Sequence, residues 1–295
     1  MALDAPVSQP ALAMIGLGRM GAPMAARLLG AGHRVVGFDQ AGTAARLPPG
    51  AEAAGSAAEA AALAQTVFLS LPDGPACAAV CAALATAPDR QATAVVNLST
   101  VGVAAAQDCA RTLAAAGIAS LDAPVSGGVA GARSGSLAMM VSGEPTLFDS
   151  MRPLLDRIAA HVFLVGEQPG QGQAMKLLNN YVSATALAAT CEGVLFGVRH
   201  GLDPARVVDV LNVSTGRTTA SSDKFPRAIL SGTFDFGFAG ALMAKDVALF
   251  LERAALLDTP RDVATAVAEL WERFNRACPG DDFTALYRFL DAPSP

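Results

Sequence analysis

The sequence contains little histidine, few aromatic residues and little charge. Of its 295 residues, 3 are His, 5% are aromatic and 16% are charged, whereas 52% are hydrophobic. Since so few hydrophobic residues are aromatic, much of the apolar fraction is alanine and other small aliphatics, which favours closely packed helices and a substantial core. This composition excludes a disordered chain, and the length predicts two domains.

Clustered positive charge is also lacking. The net charge is −5, from 21 Lys and Arg against 26 Asp and Glu. Nucleic acid and anionic membrane surfaces attract blocks of basic residues, so we expect neither as a partner. No run of about 18 residues is apolar enough to predict a membrane span. The best candidate, residues 181–198, contains Glu192 and is expected to be a buried helix.

Targeting, disulfide and metal signals are equally scarce. The N-terminus carries Asp4 and no basic region, which fits neither a secretory signal nor a transit peptide. The 5 cysteines are an odd number without the spacing of a disulfide framework. Cys77 and Cys81 share a helix face but lack a second pair of ligands, so no zinc site is predicted. We expect a cytoplasmic protein with reduced thiols.

The first half of the chain alternates short apolar runs with alanine-rich stretches of helical length. This alternation predicts parallel strands joined by helical crossovers, and the continuous apolar runs indicate a sheet covered on both faces. We predict a doubly wound parallel α/β sheet over residues 11–168, and an all-α domain over residues 169–295 that begins with one long helix. Strands are predicted at 12–15, 34–38, 66–71, 93–98, 118–121, 137–141 and 161–165. Helices are predicted at 20–29, 56–64, 75–85, 103–116, 145–158, 171–197, 204–213, 222–230, 239–257, 261–276 and 282–290.

A G-x-G-x-x-G pattern follows the first predicted strand directly and opens the first helix. Its first glycine permits a tight turn, its second lets the backbone approach a pyrophosphate, and its third lets helix and strand pack closely. The phosphates would bind N–H groups at the positive end of the helix. A purely structural glycine turn is the alternative. The predicted dinucleotide-binding residues of this loop are Gly16, Leu17, Gly18, Arg19, Met20 and Gly21.

Asp39 closes the second predicted strand, 18 residues after Gly21. A carboxylate at this point can accept both hydroxyls of the adenosine ribose, and it would repel the 2′-phosphate of NADP. No arginine follows it immediately. We therefore expect NAD as the cofactor, with a turn residue at a strand end as the alternative.

Four segments, in order, resemble the β-hydroxyacid dehydrogenase family, which includes 3-hydroxyisobutyrate dehydrogenase and tartronate semialdehyde reductase. Each alone is unspecific, but together they span most of the chain. The resemblance implies a Rossmann-type NAD-binding domain followed by a helical domain for substrate and dimerisation, and an NAD(P)-dependent enzyme acting on CH–OH groups. The segments are the glycine loop with its Met24-Ala25 continuation, Asp122-Ala123-Pro124-Val125-Ser126-Gly127-Gly128 with the residues up to 143, Gly170 to Asn180 (GQGQAMKLLNN), and Leu242 to Asp246 (LMAKD).

The resemblance makes Lys176 the catalytic residue. A lysine beside the substrate hydroxyl can accept its proton as hydride leaves for the nicotinamide, and can return the proton in the reverse reaction. To act as a base it needs a pKa lowered by burial or by a nearby cation such as Lys245. Asn180, four residues later on the same helix face, resembles the residue that hydrogen-bonds the substrate. A solvated surface lysine is the alternative.

Other site residues follow from the same resemblance. Ser126, Gly127 and Gly128 resemble a substrate loop, in which a hydroxyl and unobstructed N–H groups cradle a carboxylate; a tight turn is the alternative. Phe238 is a candidate wall of the substrate pocket, or else a core residue. The remaining cofactor-binding residues implied are Lys245 and, at the carboxyl ends of predicted strands where ligands bind in such sheets, Leu71, Pro72, Ser99 and Thr100.

The identity of the substrate stays open. Residues 212–219 resemble a 3-hydroxyisobutyrate dehydrogenase segment that carries a tryptophan where this chain has Thr219. A different 3-hydroxy acid, or a reductase of the tartronate or succinic semialdehyde type, therefore remains plausible. An imine reductase on the same fold usually lacks the lysine, and a non-catalytic dinucleotide-binding module need not keep it.

Other dehydrogenase chemistries are disfavoured. The histidines, His33, His161 and His200, have no acid-paired context, which disfavours chemistry of the lactate or malate type. No metal cluster supports an iron- or zinc-dependent alcohol dehydrogenase. We expect a small carboxylate substrate and a homodimer or homotetramer formed through the helical half.

Overall fold

The computed structural model describes residues 10–292 and divides into two compact units, Met1–Lys176 (unit 1) and Leu177–Pro295 (unit 2). The boundary that we predict at residues 168–169 stays a prediction. The expectation that the N-terminus holds no targeting segment concerns residues 1–9, which lie outside the described residues.

Within the described residues, unit 1 holds one nine-stranded sheet. Its strands are β1 (Leu12–Ile15), β2 (Val35–Phe38), β3 (Glu52–Ala53), β4 (Thr66–Leu69), β5 (Ala94–Asn97), β6 (Ala119–Asp122), β7 (Val125–Ser126), β8 (Leu137–Ser142) and β9 (Ala159–Gly166). Their order in the sheet is β3-β2-β1-β4-β5-β6-β8-β7, with β9 paired to β8. Neighbours from β3 to β6 are parallel, whereas β8 is antiparallel to β6 and β7 and parallel to β9. The chain order reverses between β1 and β4, and open α/β sheets bind ligands at such a switch point.

Helices cover both faces of this sheet and build unit 2, which confirms the predicted fold class. Asp73 and Asp203 each cap a helix by accepting a backbone N–H, and each is followed by a proline in the first helical turn. The helices are α1 (Gly21–Gly30), α2 (Ala57–Leu63), α3 (Gly74–Ala85), α4 (Val103–Ala115), α5 (Gly128–Ser134), α6 (Pro145–Ile158), α7 (Gln171–Arg199), α8 (Pro204–Asn212), α9 (Gly240–Leu256), α10 (Asp262–Ala277) and α11 (Leu286–Asp291), with a 3₁₀ turn at Phe283–Ala285.

Three short elements are absent from the sequence prediction. Strands β3 and β7 have two residues each, too few to show a periodicity. Helix α5 lies between Gly127, with φ of +129°, and Gly135, which is left-handed. Its glycine-rich sequence is typical of a turn, so local pattern did not reveal it.

The helix predicted at 222–230 is a π-helix, Ala220–Ile229. The N–H of Leu230 donates to the carbonyl of Phe225 at 2.8 Å, the wider spacing of a π turn. Pro226 lies inside this segment and has no N–H to donate to an α-helical ladder. Segments of this kind occur mostly as local distortions, and often at functional sites.

Contrary to the expectation that no run is apolar enough to predict a membrane span, helix α7 is long and apolar enough, by length and composition, to cross a membrane. The mean hydropathy of its most apolar window is 1.4, and 44% of that window is buried inside the protein. Its first part also carries the buried polar side chains of Gln173, Lys176 and Asn180. These features fit a core helix that presents polar groups to a site.

Candidate active site

The glycine loop between β1 and α1 has the geometry of a phosphate cradle. A Cβ at Gly16 would lie 2.2 Å from the carbonyl oxygen of Ser70, and one at Gly21 would lie 1.8 Å from that of Gly16. At Gly18, by contrast, a Cβ would meet nothing within 4 Å. The first and third glycines are therefore required by packing, while the second faces open space at the start of α1, where a pyrophosphate would fit.

Asp39 holds this loop in place. Its Oδ2 accepts the N–H of Leu17 at 2.8 Å, and its Oδ1 accepts the N–H of Ala41 at 2.8 Å. Arg46 lies 3.6 Å from Oδ2, an ion pair that the sequence did not suggest. A carboxylate has about four acceptor positions, so Asp39 keeps capacity for ribose hydroxyls beside its role in the loop.

Ser99 ties two strand ends together. Its Oγ accepts the N–H of Leu71 at 2.8 Å, and its own N–H donates to Oδ1 of Asn97 at 3.1 Å. Ser99 is buried and Leu71 and Thr100 are half-buried, whereas Pro72 is exposed. The structure thus brings these predicted cofactor residues to one edge of the sheet, with the Ser99 hydroxyl engaged in holding that edge.

A buried network that the sequence did not reveal fixes the start of α7. Asp122, the last residue of β6, accepts the Gln173 N–H at 2.9 Å and the Gln173 Nε2 at 2.6 Å. The Gln173 Oε1 accepts the N–H groups of Val101 and Gly102, and its Nε2 also donates to the Ser99 carbonyl at 2.9 Å. One glutamine side chain therefore joins two strand ends to the helix turn that precedes Lys176.

This network is buried, and its burial disfavours the charged form of the Asp122 carboxyl group. Gln173 and Ser142 have no exposed surface, and the Ser142 Oγ accepts the N–H of Gly172 at 2.9 Å. Burial raises the pKa of Asp122 to about 6, against the lowering effect of its hydrogen bonds from Gln173 and Ser142. The only sequence signal for this network was that polar residues, among them Asp122 and Gln173, stand among apolar neighbours in two of the four segments that carry the family resemblance.

Asp122→Asn should change how stability depends on pH. Because the carboxyl pKa rises from 3.8 to about 6 on folding, its stabilising contribution is complete only well below pH 3.8 and is lost as the pH rises through 6. The wild-type free energy of unfolding, minus that of the variant, should fall by on the order of 2 kcal/mol between pH 4 and pH 7. Urea unfolding at pH 4 to 7 measures it, and a flat or rising difference would contradict the assignment.

Lys176 lies near the start of α7 and is buried, with 6% of its surface exposed. Asn180 follows one helical turn later and is equally buried. The alternative of a solvated surface lysine does not fit this burial. Lys176 is the last residue of unit 1, so it belongs to the same compact unit as the glycine loop and the strand ends.

Within unit 2, Asn180 is oriented by a charged pair on α9. Its Nδ2 donates to Oδ2 of Asp246 at 2.5 Å, and Nζ of Lys245 lies 3.3 Å from Oδ1 of the same carboxylate. The neighbouring Asn179 donates to Oδ1 of Asn180 at 3.1 Å. The structure thus groups two predicted site residues, Asn180 and Lys245, around the buried Asp246.

The predicted substrate loop adopts glycine-specific backbone geometry. Gly127 and Gly128 have φ of +129° and +64°, so the tight-turn requirement is met. A Cβ at Gly128 would meet nothing within 4 Å, which leaves the backbone there open. Ser126, at the end of β7, is half-buried. The same segment can therefore be both a tight turn and an accessible carboxylate cradle.

In unit 2, Phe238 and a lysine that the sequence did not single out contact the same aromatic ring. The Phe238 ring packs edge-on against Phe283 with centroids 5.7 Å apart. Lys224 lies over that same Phe283 ring at 5.9 Å, and its Nζ donates to Oγ1 of Thr219 at 3.0 Å. Lys224 is buried, and burial lowers its pKa, partly offset by Asp223. Phe238 is half-buried, and this exposure fits both the predicted role as a wall of the substrate pocket and the alternative role as a core residue.

Among the described residues, no group of three or more His, Cys, Asp or Glu side chains could hold a metal ion. The five cysteines are free thiols. Burial raises the pKa of the Cys77 thiol to about 11, which makes it a poor nucleophile.

Comparison with known proteins identifies the family. Residues 11–166 match the model of the NAD binding domain of 6-phosphogluconate dehydrogenase, and residues 170–290 match that of the NAD-binding region of NADP-dependent 3-hydroxyisobutyrate dehydrogenase. The chain belongs to the β-hydroxyacid dehydrogenase family. It is an NAD(P)-dependent dehydrogenase of hydroxy acids, which confirms the enzyme class expected from the four sequence segments.

Three relatives show how broad this family is. The chain is 33% identical to 2-(hydroxymethyl)glutarate dehydrogenase of Eubacterium barkeri, with 88% of each chain covered. The 3-hydroxyisobutyrate dehydrogenase of Mycobacterium tuberculosis, solved with L-serine, is 34% identical at a TM-score of 0.88, covering 96% of this chain and 99% of that one. Psf3, solved with NADP+ and 2-OPP, is 28% identical at a TM-score of 0.81, covering 95% and 100%.

Proposed function

We propose that the protein interconverts a small 3-hydroxy carboxylic acid and its semialdehyde, with Lys176 as the general acid and base. The observation that carries this is the burial of Lys176 directly after the Gln173 anchor, which binds to the strand ends of the nucleotide-binding sheet. The residues that would hold the cofactor are those of the glycine loop, Asp39 and four residues at strand ends, Leu71, Pro72, Ser99 and Thr100. The bound nicotinamide supplies the hydride acceptor.

The chain's own groups account for the rest of the chemistry. In oxidation, the neutral Lys176 amine takes the substrate hydroxyl proton; in reduction, its ammonium returns that proton to the carbonyl oxygen. Ser126 and the open backbone at Gly128 bind the carboxylate, and Asn180, fixed by Asp246, hydrogen-bonds the reacting oxygen. Gln173 fixes the helix turn that carries the lysine, so the amine need not be reorganised during the reaction.

A coupled assay tests this function. NADH formation at 340 nm is followed with 3-hydroxyisobutyrate, glycerate, 3-hydroxypropionate and threonate, and NADH consumption with the semialdehydes. Turnover of at least one acid or semialdehyde supports the proposal. A chain that reduces cyclic imines and no semialdehyde would instead favour an imine reductase, against which the lysine at position 176 argues.

We further propose that NAD is preferred over NADP, because the Asp39 carboxylate would repel a 2′-phosphate. The ratio of kcat/KM for the two cofactors should favour NAD at least about ten-fold. Asp39→Ser should narrow this ratio, since Arg46, now 3.6 Å from the carboxylate, becomes available to a phosphate. The double variant Asp39→Ser with Arg46→Met should lose that gain in NADP use. Wild-type enzyme that favours NADP ten-fold would contradict the proposal.

We also propose a cytoplasmic homodimer or homotetramer, formed through the helical half, without nucleic acid or membrane as a partner. Helix α7 supports self-association, since Leu178, Val182 and Phe196 expose 46%, 55% and 67% of their surface. Isolated apolar residues are common at surfaces, but several on one helix favour an interface. Light scattering should give two or four times the chain mass, and a monomer at micromolar concentration would contradict it.

A further inference from the structure

Lysine is rare in this chain, and its distribution is informative. The sequence has three lysines, at 176, 224 and 245, against 18 arginines. Arginine is the cation in ten salt bridges between described residues, and Lys245 is the cation in one. Two of the lysines belong to the proposed machinery. The third, Lys224, therefore stands apart from the cations that this chain places at its surface.

Lys224 is a buried cation with little compensation. Only 5% of its surface is exposed, and among the described residues no carboxylate lies within 4.0 Å of its ammonium. Its partners are the Thr219 hydroxyl at 3.0 Å and the face of Phe283 at 5.9 Å. An ammonium has three donors, and a buried charge is normally paired with an opposite charge. Lys224 thus has donor capacity and positive charge to offer an anion.

Within unit 2, Lys224 lies close to residues that the sequence analysis assigns to the site. Thr219, which receives its hydrogen bond, is exposed, so the ammonium lies next to the surface of the unit. Phe283, which it covers, packs edge-on against Phe238, the predicted pocket wall. Phe238 leads into α9, which carries Lys245. The lysine also lies in the π-helical segment, a distortion that is frequent at functional sites.

We propose that Lys224 is a substrate-binding residue that receives a second carboxylate, at the end of an arm on C2 of the 3-hydroxy acid. The substrate would then be a dicarboxylic 3-hydroxy acid or its semialdehyde. This inference rests on the proposed function. One ammonium with one hydroxyl matches a carboxylate, whereas a phosphate dianion would call for more cations. The nearby Arg227 is already paired with Asp223 and stacked on Phe236.

Matched substrates test the proposal. We would compare 3-hydroxypropanoates substituted at C2 with a 2-carboxyethyl arm, with the isosteric 2-carbamoylethyl arm, or with methyl, which is 3-hydroxyisobutyrate. Wild-type kcat/KM should favour the carboxylate arm over the amide arm roughly ten-fold or more, the effect of one charge-assisted hydrogen bond. In Lys224→Met this ratio should fall to about one, mainly through KM. Lys224→Arg should retain part of it.

Arg227→Met is the control, because it removes an exposed cation from the same segment, and its ratio should stay as in the wild type. Equal turnover of carboxylate and amide by the wild type would overturn the inference while leaving the proposed function intact. The inference would also be overturned if Lys224→Met lowered kcat/KM equally for all three acids and lowered the Tm, because that result would show a structural role. If none of the three acids, nor any semialdehyde, is turned over, the proposed function itself fails, and the inference with it.

Discussion

Lys176→Met is expected to lower kcat by roughly 10²–10⁴-fold in both directions of the reaction, the usual contribution of a positioned acid or base. Methionine fills the same buried volume without an amine, so the fold and the anchor at Gln173 should persist. The Kd for NADH, measured by fluorescence, should change less than about three-fold, because the dinucleotide is bound by other residues.

Lys176→Arg separates charge from proton transfer. Arginine keeps a cation at this position but does not lose its proton at accessible pH. If the lysine acts as a base, this variant should be nearly as slow in oxidation as the methionine variant. Recovery of most activity with arginine would mean that position 176 supplies charge alone, and a small loss in both variants would assign the proton to another group.

Gly18→Ala should weaken cofactor binding without destabilising the fold. A Cβ there meets no protein atom within 4 Å, and Gly18 does not adopt a positive φ. The methyl group would instead occupy the space that a pyrophosphate needs in order to reach the backbone N–H groups. The Kd for NADH should rise roughly ten-fold or more, as expected when a charge-assisted hydrogen bond is lost, while Tm stays within about 2 °C of the wild type.

Gly21→Ala provides the contrast within the same loop. Its Cβ would lie 1.8 Å from the Gly16 carbonyl oxygen, a backbone atom that cannot simply swing away. This variant should lose about 2 kcal/mol or more of unfolding free energy, the effect of overpacking. If Gly18→Ala destabilised the protein as much as Gly21→Ala, the space at Gly18 would be a packing feature and not a phosphate site.

Features that depend on neighbouring residues in the chain could be predicted from sequence. The glycine loop and the strand that ends at Asp39 each have a local signal, because spacing and residue type determine them. The alternation of strands and helices likewise predicted the parallel sheet. The resemblance then pointed to Lys176 and Asn180, which the structure places one turn apart and buried.

Features that depend on distant contacts could not be predicted. Gln173 and Asp122 are 51 residues apart, and no local pattern shows that one amide joins two strand ends. Arg46 reaches Asp39 only because a turn folds back. The periodicity that predicted an α-helix around Lys224 is nearly the same for a π-helix, so the distortion became visible only with backbone hydrogen bonds.

The most direct test of the account isolates the chemical step. Enzyme loaded with NADH or with [4-²H]NADH is mixed with a semialdehyde substrate in a stopped-flow instrument, and a single turnover is followed at 340 nm. Lys176→Met should transfer hydride roughly 10²–10⁴-fold more slowly than the wild type, with a primary deuterium isotope effect on that slow step and normal cofactor binding. A variant that transferred hydride at the wild-type rate would contradict the role assigned to Lys176.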